Sequence, residues 1–250
     1  VAKWGMVLDL TRCAGCYSCI VSCKLENNTR PGVNWNDVQK VEWGNHPDAN
    51  QAFMLTLCMH CDDPPCAKAC PTGATFKRSD GIVMTNYERC IACGYCLTAC
   101  PYDARQINTK DVYNFGEPAP YELEGSVHLG VAEKCVFCYH RVDNGKMPAC
   151  VTNCPGKCRI FGNLDDPNSE INQYIQANNT FHIKGTSIYY ILPEKMSVDE
   201  LPTDLIQPGY LSALEKFAHP VGKGILGLTT AAVAGGLIMN TVKGGGKNNE

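Results

Sequence analysis

Apolar and polar residues alternate from the start of the chain. Trp4-Gly-Met6-Val-Leu8-Asp-Leu10 has the pattern of a strand, and it leads directly into a group of cysteines. A hairpin is predicted over residues 72–87, where apolar stretches flank the turn signal Ser79-Asp80-Gly81. Residues 24–57 carry Pro31-Gly32, Trp35, Trp43 and His46-Pro47 and predict a loop-rich insertion, its aromatics packed either into the core or against a partner. Residues 102–134, with Pro118, Pro120 and several acids, predict a second insertion that crosses the surface. Further on, Asp166-Pro167 has the form of an N-cap followed by a first-turn proline, and Ile171, Tyr174 and Ile175 supply one apolar helical face. Ser187 to Leu192 predicts a strand. This last section is expected to wrap the residues before it or to brace a partner.

The hydrophobic pattern changes once more near the end. Gly224 to Val242 is a run of nineteen residues without a charge, close to the roughly 20 that a helix needs to cross a bilayer core. Gly227, Ala231 and Gly235 recur at every fourth position, a stripe of small residues along which another membrane helix can approach. The expectation is a membrane helix over residues 221–243, with a buried or partner-bound apolar tail as the alternative. Lys216 and Lys223 precede the uncharged run and Lys243 and Lys247 follow it, so flanking charge does not orient the helix.

Composition narrows the function classes. The chain has 250 residues, 44% of them hydrophobic, enough for one or two domains with a real core. A formal charge of −3 with scattered Lys and Arg gives no basic face, which excludes nucleic acid as an expected partner. No signal peptide is visible, and the opening Val1 is expected from removal of the initiator alone or of an export signal.

Seventeen cysteines dominate the candidate chemistry. Sixteen fall into four runs: Cys13, Cys16, Cys19 and Cys23; Cys58, Cys61, Cys66 and Cys70; Cys90, Cys93, Cys96 and Cys100; and Cys135, Cys138, Cys150 and Cys154. The third run, followed by Pro101, has the C-x2-C-x2-C-x3-C-P spacing of a bacterial ferredoxin half. Three thiolates on one tight loop reach three corners of one [4Fe-4S] cube; the fourth cysteine is carried past a turn that proline ends, and serves another cluster. Each run therefore needs a partner run, and spacing alone permits sequential as well as nested exchange. The first run lacks the proline, because Lys24 follows Cys23, and its turn is free to extend into helix. The second stiffens a longer loop with Pro64-Pro65, and His60 among its ligands is read as a non-ligand. In the fourth, Asp143-Asn144-Gly145-Lys146 predicts a turn that folds Cys150 back toward Cys138. Cys158 follows a complete set and reads as a buried thiol. A disulfide framework fits poorly, since thiols are concentrated on single loops. Zinc would leave the third cysteine of each triplet and the proline-marked fourth unexplained.

Together the four runs resemble the iron-sulfur (beta) electron-transfer subunits of molybdopterin oxidoreductases of the polysulfide, tetrathionate, arsenate and dimethyl sulfoxide reductase type. The likeness covers residues 4–192 and includes Cys90-Ile-Ala-Cys93-Gly, Cys100-Pro-Tyr-Asp-Ala-Arg105, Lys134-Cys135-x-Phe-Cys138-x-His-Arg141 and Phe161-Gly-x-Leu-Asp-Asp166. It implies an α+β fold of two bacterial-ferredoxin-like modules with loop insertions and a C-terminal extension. Residues 1–57 and 102–192 would form the outer module and 58–101 the inner one, followed by a linker over 193–220, the membrane helix over 221–243 and a tail over 244–250. The resemblance also implies nested exchange and four [4Fe-4S] clusters. Their iron ligands would be Cys13, Cys16, Cys19 and Cys154; Cys58, Cys61, Cys66 and Cys100; Cys90, Cys93, Cys96 and Cys70; and Cys135, Cys138, Cys150 and Cys23.

The implied function is electron relay without catalysis. The chain would stand between a molybdenum or tungsten bis-pterin catalytic subunit and an integral membrane quinone-binding subunit, associated with the outer face of the cytoplasmic membrane. The terminal apolar helix resembles the membrane-anchored iron-sulfur subunits of formate dehydrogenases. No nucleophile-base pair or open metal site is evident. Arg105, Arg141 and His140 are candidates for tuning cluster potential, against an ordinary reading as surface ion pairs. A polyferredoxin of a quinone reductase or hydrogenase, and a zinc-stapled scaffold, are the alternatives.

Overall fold

The predicted opening strand forms as β1, Trp4–Asp9, and sits inside a four-stranded sheet. Its residues Met6, Val7 and Leu8 are wholly buried, so both of its faces are covered. One neighbour is β8, Arg159–Asn163, antiparallel; the other is β10, Ile188–Ile191, parallel, with β9, Phe181–His182, beyond it. The computed structural model describes residues 2–107, 109, 112–113, 116–117, 129–198 and 201. All lie in one compact unit, Val1–Pro208. A second unit, Gly209–Glu250, lies outside the described residues, and with it the expected membrane helix and its stripe of small residues. Among the described residues no helix is long and apolar enough to cross a membrane.

The strand near residue 190 is thus not a wrapping segment but a member of the central sheet, paired along the length of β1. Met6 and Leu8 join Ile188 and Tyr190 in the main core, whereas Val7 faces a second cluster with Ile160, Ile171 and Ile191. Ile171 lies on α6, Glu170–Ala177, and is fully buried, which contributes roughly 2–3 kcal/mol from apolar transfer. That helix starts later than Asp166-Pro167 suggests. Ser169 is the N-cap, its Oγ accepting the Asn172 N–H at 3.4 Å, while the Asp166 carboxylate accepts the Asn168 N–H in a turn of its own.

The first insertion is more regular than its composition suggests. Strands β2, Asn36–Trp43, and β3, Asn50–Leu57, form a hairpin in register over eight pairs. Both tryptophans face inward: Trp35 Nε1 donates to Glu133 at 3.0 Å and Trp43 Nε1 to the Lys195 carbonyl at 2.8 Å. The predicted second hairpin forms from β4, Thr75–Lys77, and β5, Val83–Thr85. Across the second insertion, β6, Gln106–Ile107, pairs with β7, Ala132–Glu133.

Between these strands the four cysteine runs repeat one local design. In α2, Pro65–Lys68, α3, Tyr95–Thr98, and α5, Ala149–Thr152, a single turn of helix carries the third cysteine at its second position, and the fourth follows two residues after the turn ends. In α1, Ser18–Asn27, the same turn continues, because no proline follows Cys23. The fourth run also contains α4, Tyr139–Val142, closed by the predicted turn, in which the Lys146 N–H donates to the Arg141 carbonyl.

Candidate functional site

The residue before the second cysteine of each run is left-handed: Gly15, His60, Ala92 and Phe137 have φ of 65°, 44°, 53° and 51°. Only the first is glycine, so three runs hold a side chain in a conformation that costs on the order of 1–3 kcal/mol. A second such position recurs three residues past the fourth cysteine, at Gly73, Asp103 and Lys157. This winding turns backbone N–H groups toward sulfur: those of Thr75, Ala132 and Cys158 reach Cys70, Cys90 and Cys154 at 3.4–3.5 Å.

These loops line four cavities. Cavity 1 is lined by Cys13, Cys16, Cys19 and Cys154, together with Cys158; cavity 2 by Cys58, Cys61, Cys66 and Cys100. Cavity 3 is lined by Cys70, Cys90, Cys93 and Cys96; cavity 4 by Cys23, Cys135, Cys138 and Cys150. Every cavity thus takes three cysteines from one run and the last from another, and all seventeen cysteines are free of disulfides. Side chains shared between linings set an order along the molecule. Arg159 of cavity 1 reaches Asn36 of cavity 4, Lys134 of cavity 2 reaches the Cys135 carbonyl of cavity 4, and Arg105 of cavity 2 reaches Thr75 of cavity 3. The cavities therefore follow one another as 1, 4, 2, 3. At the middle junction the His60 ring stacks on Phe137, their centroids 3.8 Å apart.

Protonation favours thiols wherever burial dominates. Burial, helped by neighbouring sulfurs, pushes Cys61 up to about 12 and Cys150 and Cys100 up to about 11; it also raises Cys23 and Cys135. Cys70 goes the other way. Burial opposes its ionisation, but hydrogen bonds from the Thr75 and Thr72 N–H groups and the Thr72 hydroxyl bring it down to about 7. Thiolates at the buried positions need a compensating cation, as iron supplies when thiols bind it and release their protons.

Of the candidate tuning residues, Arg141 and His140 pair at the surface with Glu26, each at 2.8 Å. Arg105 does not: it is 3% exposed and lies against cavity 2. His60 is no cavity-lining ligand; its Nδ1 accepts the Val83 N–H at 3.1 Å, and burial lowers its pKa well below the ordinary value. Cys158 is buried as expected but belongs to cavity 1, its Sγ 3.3 Å from that of Cys154. Two buried cations that line cavities escaped the sequence reading, Arg159 and Lys134. The signal for Arg159 is a recurrence, Cys100-Pro-x3-Arg105 and Cys154-Pro-x3-Arg159. Arg159 Nε and Arg105 Nε and Nη2 are buried without a hydrogen-bond partner among the described residues, an arrangement that costs several kcal/mol unless negative charge lies nearby. A thiolate-ligated iron-sulfur cluster carries such charge, and the donor set and buried cations both fit it.

Residues 49–164 match the family model described as a 4Fe-4S dicluster domain. The chain is 36% identical to the arsenate respiratory reductase iron-sulfur subunit ArrB of Shewanella sp. (strain ANA-3), covering 76% of this chain and 96% of that one. It is 39% identical to the B subunit of selenate reductase from Mesobacillus selenatarsenatis, over 76% and 72% of the two chains. To the B subunit of tetrathionate reductase from Salmonella typhimurium it is 42% identical, over 68% and 61%. A 4Fe-4S dicluster domain within likenesses of this extent makes the chain a member of the iron-sulfur electron-transfer subunit family of molybdopterin oxidoreductases.

Proposed function

We propose that the chain holds four [4Fe-4S] clusters and relays electrons between an integral membrane quinone-interacting subunit and a molybdopterin catalytic subunit, without a substrate site of its own. The observation that carries this reading is the set of four like cavities, each lined by three cysteines of one run and the fourth of another, with Cys158 added at cavity 1. Bound clusters would supply one-electron chemistry; the chain's part is to hold them near one another, exclude water and offset their charge. Cavity 1 would bind through Cys13, Cys16, Cys19 and Cys154, cavity 2 through Cys58, Cys61, Cys66 and Cys100, cavity 3 through Cys90, Cys93, Cys96 and Cys70, and cavity 4 through Cys135, Cys138, Cys150 and Cys23. Among the described residues no three His, Cys, Asp or Glu side chains are placed to hold a single metal ion, which favours a polynuclear centre over zinc, whose ligands close to about 2.3 Å. A catalytic partner follows from the relatives, which are B subunits of reductases. The membrane partner, and a location at the outer face of the cytoplasmic membrane, rest on the family likeness and on the apolar stretch over 224–242.

The test is iron and zinc content of anaerobically purified native material, with electron paramagnetic resonance after reduction. About sixteen irons per chain with spin-coupled signals is expected, four per cubane; stoichiometric zinc and no reducible centre would overturn the reading. Cys100→Ser should damage the centre of cavity 2, and loss confined to the centre held by Cys90, Cys93 and Cys96 would sink the exchange.

A further inference from the structure

Three buried cations stand at the three junctions between successive cavities. Arg159 lines cavity 1, and its guanidinium donates to Asn36 at 3.4 Å and approaches the Met6 sulfur at 4.0 Å, both of which line cavity 4. Lys134 lines cavity 2, and its Nζ donates at 2.8 Å to the carbonyl of Cys135, a lining residue of cavity 4. Arg105 lines cavity 2, and its Nη1 donates at 3.1 Å to the Thr75 hydroxyl, which lines cavity 3. All three are at most 3% exposed. None takes part in an ion pair among the described residues.

The arrangement has a physical logic. A cation buried in a medium of low dielectric acts strongly on charges within a few ångströms and is little screened by salt. Placed between two redox centres, it acts on both at once. Adding an electron makes either centre more negative, so the cation stabilises the reduced state of each and raises both potentials. A half-buried cation already neutralised by a carboxylate, such as Arg141 in its pair with Glu26, has no such reach.

We propose that Arg159, Lys134 and Arg105 are shared counter-charges, one per junction, each setting the potentials of the two centres that flank it. Resting on the four-cluster reading, the proposal makes these side chains positioning charges rather than ligands. It also specifies which centres respond to which residue. Arg159 governs the centres of cavities 1 and 4, Lys134 those of 4 and 2, and Arg105 those of 2 and 3. The middle centres each feel two of the cations and the terminal centres one.

The experiment is a potentiometric titration followed by electron paramagnetic resonance on the full-length chain, purified anaerobically with whatever partners accompany it, comparing wild type with Arg159→Gln, Lys134→Met and Arg105→Gln. In each variant two of four midpoints should fall, each by on the order of tenfold in the reduction equilibrium, about 59 mV for one electron. The pair that moves in Arg159→Gln should be complementary to the pair that moves in Arg105→Gln, and Lys134→Met should move one from each pair. Iron content should stay at the wild-type level, and Arg159→Lys and Arg105→Lys should recover part of the shift. If a neutral variant assembles poorly, the lysine variants decide, because moving a shared charge must alter both flanking midpoints and neither of the other two. Full iron with midpoints unchanged, or with a single midpoint moved, overturns the proposal while leaving the relay standing. Wild-type protein without four reducible centres overturns the relay itself.

Discussion

A thiol 3.3 Å from a cluster-lining sulfur invites the question of which of the two binds metal. Cys158 sits four residues past Cys154, and its own N–H donates to the Cys154 sulfur at 3.4 Å. The Cys13 sulfur, burial and the Cys154 sulfur all raise the Cys158 pKa, which keeps Cys158 a neutral thiol beside two cavity-lining sulfurs. Cys158→Ala should therefore leave the iron count of the chain unchanged; loss of about four irons per chain would make Cys158 a ligand. At this scale the sequence reads well where chemistry is local. Ligand spacing names sixteen cysteines without any structure, because three of every four sit on one loop. Arg159 was not legible in that way. A lone arginine after a motif has no signature until its partner at the same offset, Arg105, is found buried against a cavity too.

Elements hold the runs to one another. The turn of the β4–β5 hairpin carries Arg78, which grips Asp143 in the turn after α4 through two bonds of 3.0 and 2.7 Å and also pairs with Asp80 at 2.9 Å. The guanidinium lowers the Asp143 carboxyl below its ordinary value through the hydrogen bond and the charge. A carboxyl depressed in the fold contributes stability above its unfolded pKa and loses it as pH falls through the folded one. Asp143→Asn should thus cost about 0.5–1 kcal/mol near neutrality, the worth of an exposed pair. The difference from wild type should hold down to about pH 5 and close below about pH 4, as followed by denaturant unfolding. Two elements resisted prediction for identifiable reasons. The β2–β3 hairpin alternates weakly: Lys40 and Glu42 interrupt the face that Val38 buries, and the glycine, prolines and tryptophans around it read as loop. The start of α6 was misplaced because Asp166 caps a turn, a role that an aspartate before proline performs as readily as capping a helix.

Across the whole molecule, no cavity belongs to one stretch of chain. Cavities 1 and 4 join cysteines of residues 13–23 to cysteines of residues 135–154, while cavities 2 and 3 take their cysteines from residues 58–100 and are completed by Lys134 and Ala132. All sixteen cysteines of the four runs precede residue 155, so deletion of residues 221–250 should leave iron content intact while releasing the chain from membranes; retention in the membrane fraction would show that protein partners alone hold it there. The nesting also bears on how the molecule is made. A ribosome delivers residues in order, at about 5–20 per second. The inner pair of sites has all of its thiols once Cys100 has emerged, but Cys13, Cys16 and Cys19, among the first to appear, wait for Cys154. On the proposed ligand sets the earliest cysteines of the chain are therefore among the last to be enclosed, and newborn chains should be open to thiol oxidation until more than half of the sequence has been translated.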